Sequence, residues 1–244
     1  MSDVLEPSNV INRLYNAKRF EELYHYCQAL LSKDPTDILA LQNISLACLN
    51  LEEFTKTIQY CDEVLKRDHT DAYALHNKIY ALENLHRYDD VLECCNTLLD
   101  MDNTDTWALN SAGLASAELD EYKDAIQYFE RALKQDPRNV TALLNMALIF
   151  RRQSKLQESI HWYDEALLVN PSLSEAVTAR TDAYKSLGLD DESFLAAQGL
   201  LDDDISRIIS DAKHNGCTVF HQLCLDDMNR LGKRNPHDKN PFRV

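Results

Sequence analysis

Between residues 106 and 139 the chain reads TWALNSAGLASAELDEYKDAIQYFERALKQDPRN, and its small and apolar residues fall into two stripes. Ala108, Leu109, Ala112, Gly113, Ala115, Ser116 and Leu119 recur at spacings of three and four, which predicts one buried face of an α-helix. After the polar LDEY stretch, Ala125, Ile126, Phe129, Ala132 and Leu133 form a second stripe of the same period. DPRN ends it, because proline has no N–H to donate and its ring clashes inside a helix. The stretch is predicted to be a helix hairpin.

The pattern returns every 34 residues. LSKDPTDILAL at 31–41 is echoed by LKRDHTDAYAL at 65–75, LDMDNTDTWAL at 99–109, LKQDPRNVTAL at 133–143 and LLVNPSLSEAV at 167–177. Asp34, Asp68, Asp102, Asp136 and Asn170 keep this spacing without an insertion. So do the small residues Ala40, Ala74, Ala108, Ala142 and Ala176, while Phe54, Tyr88 and Tyr122 set large side chains at the start of the second helix. A fixed period of this length predicts an array of hairpins, each burying its faces against its neighbours. Gly113 costs roughly 1 kcal/mol mid-helix relative to Ala, which predicts a close approach of two helix backbones there.

These residues resemble the tetratricopeptide repeat, whose units set small residues, aromatics and a late proline at fixed places. Gly113, Ala125, Ala132, Tyr122, Phe129 and Pro137 fit that pattern, as do Ala147, Phe150, Tyr163, Ala166 and Pro171 in the next unit. The resemblance implies an all-α fold, a right-handed superhelical solenoid of antiparallel helix hairpins. Six units begin near residues 4, 38, 72, 106, 140 and 174 and cover 1–204. Leu23, Cys27, Leu30 and Asp190 depart from the pattern in the two end units. Lys78 and Arg180 fall where an apolar residue is usual and are expected to snorkel to the edge of the stack. Residues 205–232 read as a capping hairpin whose two helices stop at Gly216 and Gly232, and 233–244 as a basic, flexible tail.

Composition narrows the function. A net charge of −15 argues against nucleic acid and membrane surfaces, whose recognition needs clustered Lys and Arg. The start, MSDVLEPSNV, lacks a basic and apolar export pattern, and no apolar run is long enough to span a bilayer, so a cytoplasmic protein is expected. Of the seven cysteines, Cys27, Cys61 and Cys95 follow the 34-residue period, which is the behaviour of a small core position rather than of a disulfide framework.

No phosphate loop, nucleophile elbow or HExxH motif is present, and no enzyme activity or cofactor is expected. His214, Cys217, His221 and Cys224 have spacings reminiscent of zinc ligands, but Cys217, His221 and Cys224 share one face of a predicted amphipathic cap helix, which accounts for them without metal. Asp202, Asp203 and Asp204 read as a helix start that accommodates anionic side chains rather than as a cation site.

The side of each first helix away from its core stripe carries another line of residues. Asn9, Asn43, Asn77, Ser111 and Asn145 stand at the same place in successive units. In tetratricopeptide arrays this side lines a concave groove, and an amide carries the donors and the acceptor needed to pair with an extended peptide backbone. Asn is also frequent at this place across the family, so the row reads either as groove chemistry or as family habit. Tyr73, His76, Tyr80 and Trp107 stand beside it and could form pockets for partner side chains, and Arg151 and Arg152 could receive a carboxylate. Family members that clamp the acidic C-termini of heat-shock chaperones use Lys and Arg with asparagines; the matching residues Ser8, Asn12, Asn43, Tyr73 and Asn77 supply no cation. The expected partner is an extended segment of another protein, with self-association or a tail-in-groove contact as a variant. The alternative is an assembly subunit that uses its cap or convex face.

Overall fold

Successive hairpins are joined by a turn built on two acidic side chains. In the computed structural model, which describes residues 6–223 and Asp226, Asp34 accepts the Thr36 N–H at 2.8 Å and the Thr36 hydroxyl at 2.6 Å. Asp68 with Thr70 and Asp102 with Thr104 repeat the arrangement. The Thr hydroxyl and N–H hold all three carboxyls below the usual aspartate range. Three residues on, Asp37, Asp71 and Asp105 accept N–H groups from the first turn of the next helix, at 3.0 Å from Ala40, 2.8 Å from Ala74 and 3.1 Å from Ala108. Asn139 does the same for Ala142 at 3.0 Å.

The helices are α1 (Pro7–Asn16), α2 (Phe20–Leu31), α3 (Ile38–Asn50), α4 (Phe54–Leu65), α5 (Ala72–Asn84), α6 (Tyr88–Met101), α7 (Thr106–Glu118), α8 (Tyr122–Gln135), α9 (Val140–Arg152), α10 (Leu156–Val169), α11 (Ser174–Ser186), α12 (Asp190–Ala197) and α13 (Asp202–His214). No strand occurs among the described residues, and no helix is long and apolar enough to cross a membrane. Within each hairpin the chain reverses through a left-handed residue: Lys18, Glu52, His86, Asp120, Ser154 and Gly188, with φ between 55° and 72°. The following N–H then bonds back to the fifth carbonyl before it, as Glu53 does to Cys48 at 2.9 Å, closing the first helix.

The chain divides at residue 142, inside α9, into two compact units. In the first, each helix packs on the next from α1 to α8, and α3 also packs on α5. Ala40, Ala74, Ala108 and Ala142 are fully buried, as are Cys27, Cys61 and Cys95 on the second helices. Burial pushes the Cys27 and Cys61 thiols up to about 12, so these are unreactive core groups. A Cβ at Gly113 would sit 2.7 Å from the Phe129 ring, and Phe129 is fully buried. The close approach is therefore between α7 and an aromatic ring of α8, not between two backbones.

In the second unit, Ala147, Tyr163, Leu167, Ala176 and Ala179 form one cluster. Ile205, Ile208, Ile209 and Ala212 of α13 join Ile160, Ala183, Tyr184 and Leu195 in another. The expectation of a snorkelling Arg180 is corrected here. Arg180 is completely buried, paired with Asp164 of α10, and donates to the Ala196 carbonyl at the end of α12 at 3.2 Å. Burial pushes the Asp164 carboxyl up and the guanidinium pulls against it. Tyr184 donates to Asp202 at 2.6 Å, tying the first turn of α13 to α11. Lys78 is partly buried and its ammonium reaches Asp62 at 2.7 Å.

Two stability measurements check this account. Gly113→Ala should lower stability by about 1–3 kcal/mol in urea unfolding followed by circular dichroism, although Ala is the better helix former. Parental stability would mean that the Phe129 ring moves aside without cost. Arg180→Met should cost about 3–5 kcal/mol because Asp164 is left buried without its cation, and adding Asp164→Leu should restore most of the loss.

Candidate interaction surface

On α5, Tyr73, His76, Asn77, Tyr80 and Glu83 share one face at helical spacing, and on α7 Trp107 and Ser111 do the same. The two stripes meet. The His76 and Trp107 rings lie 4.5 Å apart between centroids, tilted by 60°. His76 Nδ1 donates to the Ala72 carbonyl at 2.6 Å, which fixes a proton on that nitrogen. At the other end of the stripes, the Ser111 hydroxyl lies beside the Glu83 carboxylate and favours its charged form. Tyr80 stands between these two contacts and is 51% exposed, while Leu39, Tyr73 and Trp107 are each close to 40% exposed. Beside Tyr80 an open depression of about 490 Å³ is lined by Leu49, Asn50, Glu52, Phe54 and Asn84.

The amides are deployed differently from the aromatics. Asn77 is buried, its N–H group donating to Ser45 of α3 at 3.2 Å, and it also lies beside the Tyr73 hydroxyl. Ser111 is buried as well, whereas Asn43 is half-buried and Asn9 exposed. Asn43, Asn50 and Asn84 each donate to a carbonyl four residues back in their own helix, at 2.7, 2.8 and 2.9 Å. One position earlier than the row, Gln42 donates to the helix-capping Asp71 at 2.7 Å and Asn110 to the capping Asn139 at 3.3 Å. Thus the line of amides is not uniformly open to solvent: Asn77 ties its hairpin to the preceding one, and Gln42 and Asn110 beside the line tie theirs to the next. In the second unit, Asn145 is half-buried, Arg151 is exposed beside the Tyr163 hydroxyl, and Arg152 is exposed.

Glu83 is the residue that sequence reasoning missed. Burial pushes its carboxyl up and the Ser111 hydroxyl acts in the opposite direction. Carboxylates in this acidic chain read as solvated, yet Glu83 lies on the aromatic face, one turn after Tyr80. That spacing was the available signal.

Of the residues with zinc-like spacing, His214 and His221 are exposed and Cys217 packs on the apolar cluster of α13, its sulfur 3.7 Å from Gln222 Oε1. Cys224 lies outside the described residues, as do most of 224–232 and all of 233–244. Among the described residues, no three His, Cys, Asp or Glu side chains converge as a metal ion would require.

Comparison with known proteins agrees with the repeat geometry. The tetratricopeptide repeat family profile matches residues 111–175. Among solved structures, a tetratricopeptide repeat protein from Parabacteroides merdae is 18% identical with a TM-score of 0.70, over 79% of this chain and 77% of its own. PilW, described as a widely conserved type IV pilus biogenesis factor, is 17% identical with a TM-score of 0.68, over 79% and 90%. YrrB, described as having an unusual peptide-binding site, is 14% identical with a TM-score of 0.57, over 78% and 97%. A search of curated proteins finds no match.

The two kinds of asparagine should behave differently when truncated. Asn77→Ala should lower stability by about 1–2 kcal/mol, because it removes the buried hydrogen bond that ties α5 to the Ser45 hydroxyl of α3. Asn43→Ala, whose amide serves only its own helix, should stay within about 0.5 kcal/mol of the parent. Equal midpoints in thermal unfolding of the two variants would contradict the inter-helix role of Asn77.

Proposed function

We propose that this chain, a tetratricopeptide repeat protein, is a non-catalytic interaction module that holds an extended segment of another protein against the exposed face of α3, α5 and α7. The observation that carries this reading is the concentration of Leu39, Tyr73, Tyr80 and Trp107 on one stripe, each at least 38% exposed. Large amphipathic rings in such a row supply contact area at low entropic cost and are the residue types that dominate binding hot spots. Asn9 and Asn43 of the same unit add amide groups that an extended backbone can use. YrrB, with a similar fold, is described as binding peptides, which supports the same use of the fold here. Cytoplasmic residence is part of the proposal: the six described cysteines are free and five are buried, a pattern suited to a reducing compartment.

A second reading rests on a separate observation. Leu168, Phe194 and Phe220 of the second unit are 59%, 46% and 69% exposed, as they would be on an assembly subunit that uses this part of the chain as its interface.

Partner recovery by the full chain separates the two. Tyr80→Ala with Trp107→Ala should weaken the partner by roughly 100-fold, since two hot-spot truncations cost about 1–2 kcal/mol each or more and 1.4 kcal/mol is tenfold. Helicity should be unchanged, because both rings are substantially exposed. Partners that survive this double variant and are lost from Leu168→Glu with Phe194→Glu would favour the assembly reading.

A further inference from the structure

We infer that the partner segment carries an arginine or lysine, and that Glu83 is the group that receives it. This rests on the binding surface proposed above and specifies its chemistry. Along α5, His76, Tyr80 and Glu83 span seven residues, or about 10 Å at 1.5 Å per residue. The strip begins at the His76–Trp107 ring pair and ends at Glu83, with the half-exposed Tyr80 between. A long cationic side chain laid along it meets aromatic faces first and a carboxylate at its tip. Guanidinium and ammonium groups bind that sequence of surfaces well, because ring faces attract cations and carboxylates pair with them.

Charge complementarity selects this occupant. The outward stripe of α3, α5 and α7 comprises Leu39, Gln42, Asn43, Leu46, Leu49, Asn50, the α5 residues already named and the matching positions of α7, and none is Lys or Arg. Glu83 is half-buried, and the group that stabilises its carboxylate is a neutral hydroxyl, that of Ser111. A partly desolvated carboxylate held by a neutral donor is left short of counter-charge, which a cation from the partner would supply. An acidic segment would meet a repulsive site instead.

The test uses random peptides displayed on phage and panned against the full chain and against Glu83→Gln, a substitution that keeps an acceptor for Ser111. Peptides enriched on the parent should share an Arg or Lys, and the enrichment should vanish on Glu83→Gln. A synthetic peptide from the parental selection should bind Glu83→Gln about tenfold more weakly, the scale of one charge-assisted pair. Replacing its arginine by citrulline should cost as much on the parent and little further on Glu83→Gln. Enriched peptides that need Tyr80 and Trp107 but contain no basic residue, or that bind Glu83→Gln undiminished, overturn the inference and leave the surface reading intact. Peptides indifferent to Tyr80→Ala and Trp107→Ala overturn the surface reading itself.

Discussion

Ala40, Ala74, Ala108 and Ala142 are fully buried at a spacing of 34, and the closeness that these short side chains permit sets the geometry of the first unit. A helix hairpin has more apolar surface than it can cover by itself, so each must lean on the next. Where the first helix offers a small residue, the second can set a ring: Phe129 fills the space over Gly113, and in the second unit Tyr163 packs with Ala147. Interiors pack at nearly crystalline density, so this exchange of volume leaves little freedom in how neighbouring hairpins meet. Every side chain on the outward stripe inherits its place from that contact.

The connecting turns preserve this register. A first carboxylate closes the turn around a threonine and a second caps the following helix, so the same few residues both stop one hairpin and start another. Inside the hairpins the left-handed residue is glycine only at Gly188; Lys18, Glu52, His86, Asp120 and Ser154 adopt the same conformation at roughly 1–2 kcal/mol each. The bond from the next N–H to the fifth carbonyl before it offsets part of that cost. Among the described residues, these left-handed positions recur once per hairpin rather than gathering at one site.

What could be read from the sequence was whatever repeats locally. The 3.6 period, the small positions and the carboxylate turn all lie within one unit, and they led to the all-α helix-hairpin fold that the structure bears out, with the tetratricopeptide repeat profile matching residues 111–175. Contacts between helices were less legible. Arg180 was expected at the edge of the stack because its partner Asp164 lies 16 residues away on another helix, where no short-range pattern links them. Gly113 announced a close approach but not its partner, since Phe129 is recognisable as a ring and not as the ring that faces it. The burial of Asn77 was hidden for a similar reason: its partner Ser45 lies 32 residues back, slightly short of one period, so the contact crosses between units at an offset. Glu83 stayed unread because it was grouped with the solvated majority of the 40 acidic residues, although its place one turn after Tyr80 was visible.

The outward stripe therefore divides by residue type. Amides such as Gln42, Asn77 and Asn110 bond to polar groups of the adjoining hairpins, where a directional donor fixes the relation of one helix to another. Tyr73, Tyr80 and Trp107 keep a large part of their surface in water. A partner that docks here gains most by covering rings, since amides already bonded internally would have to exchange one hydrogen bond for another at little net profit. Ring contacts tolerate many side chains and supply affinity without strict selectivity. Selectivity then falls to whatever charged group stands among the rings, because the wrong charge beside a partly desolvated carboxylate is penalised more heavily than a poorly fitting apolar group. One turn after Tyr80 on α5, that group is Glu83.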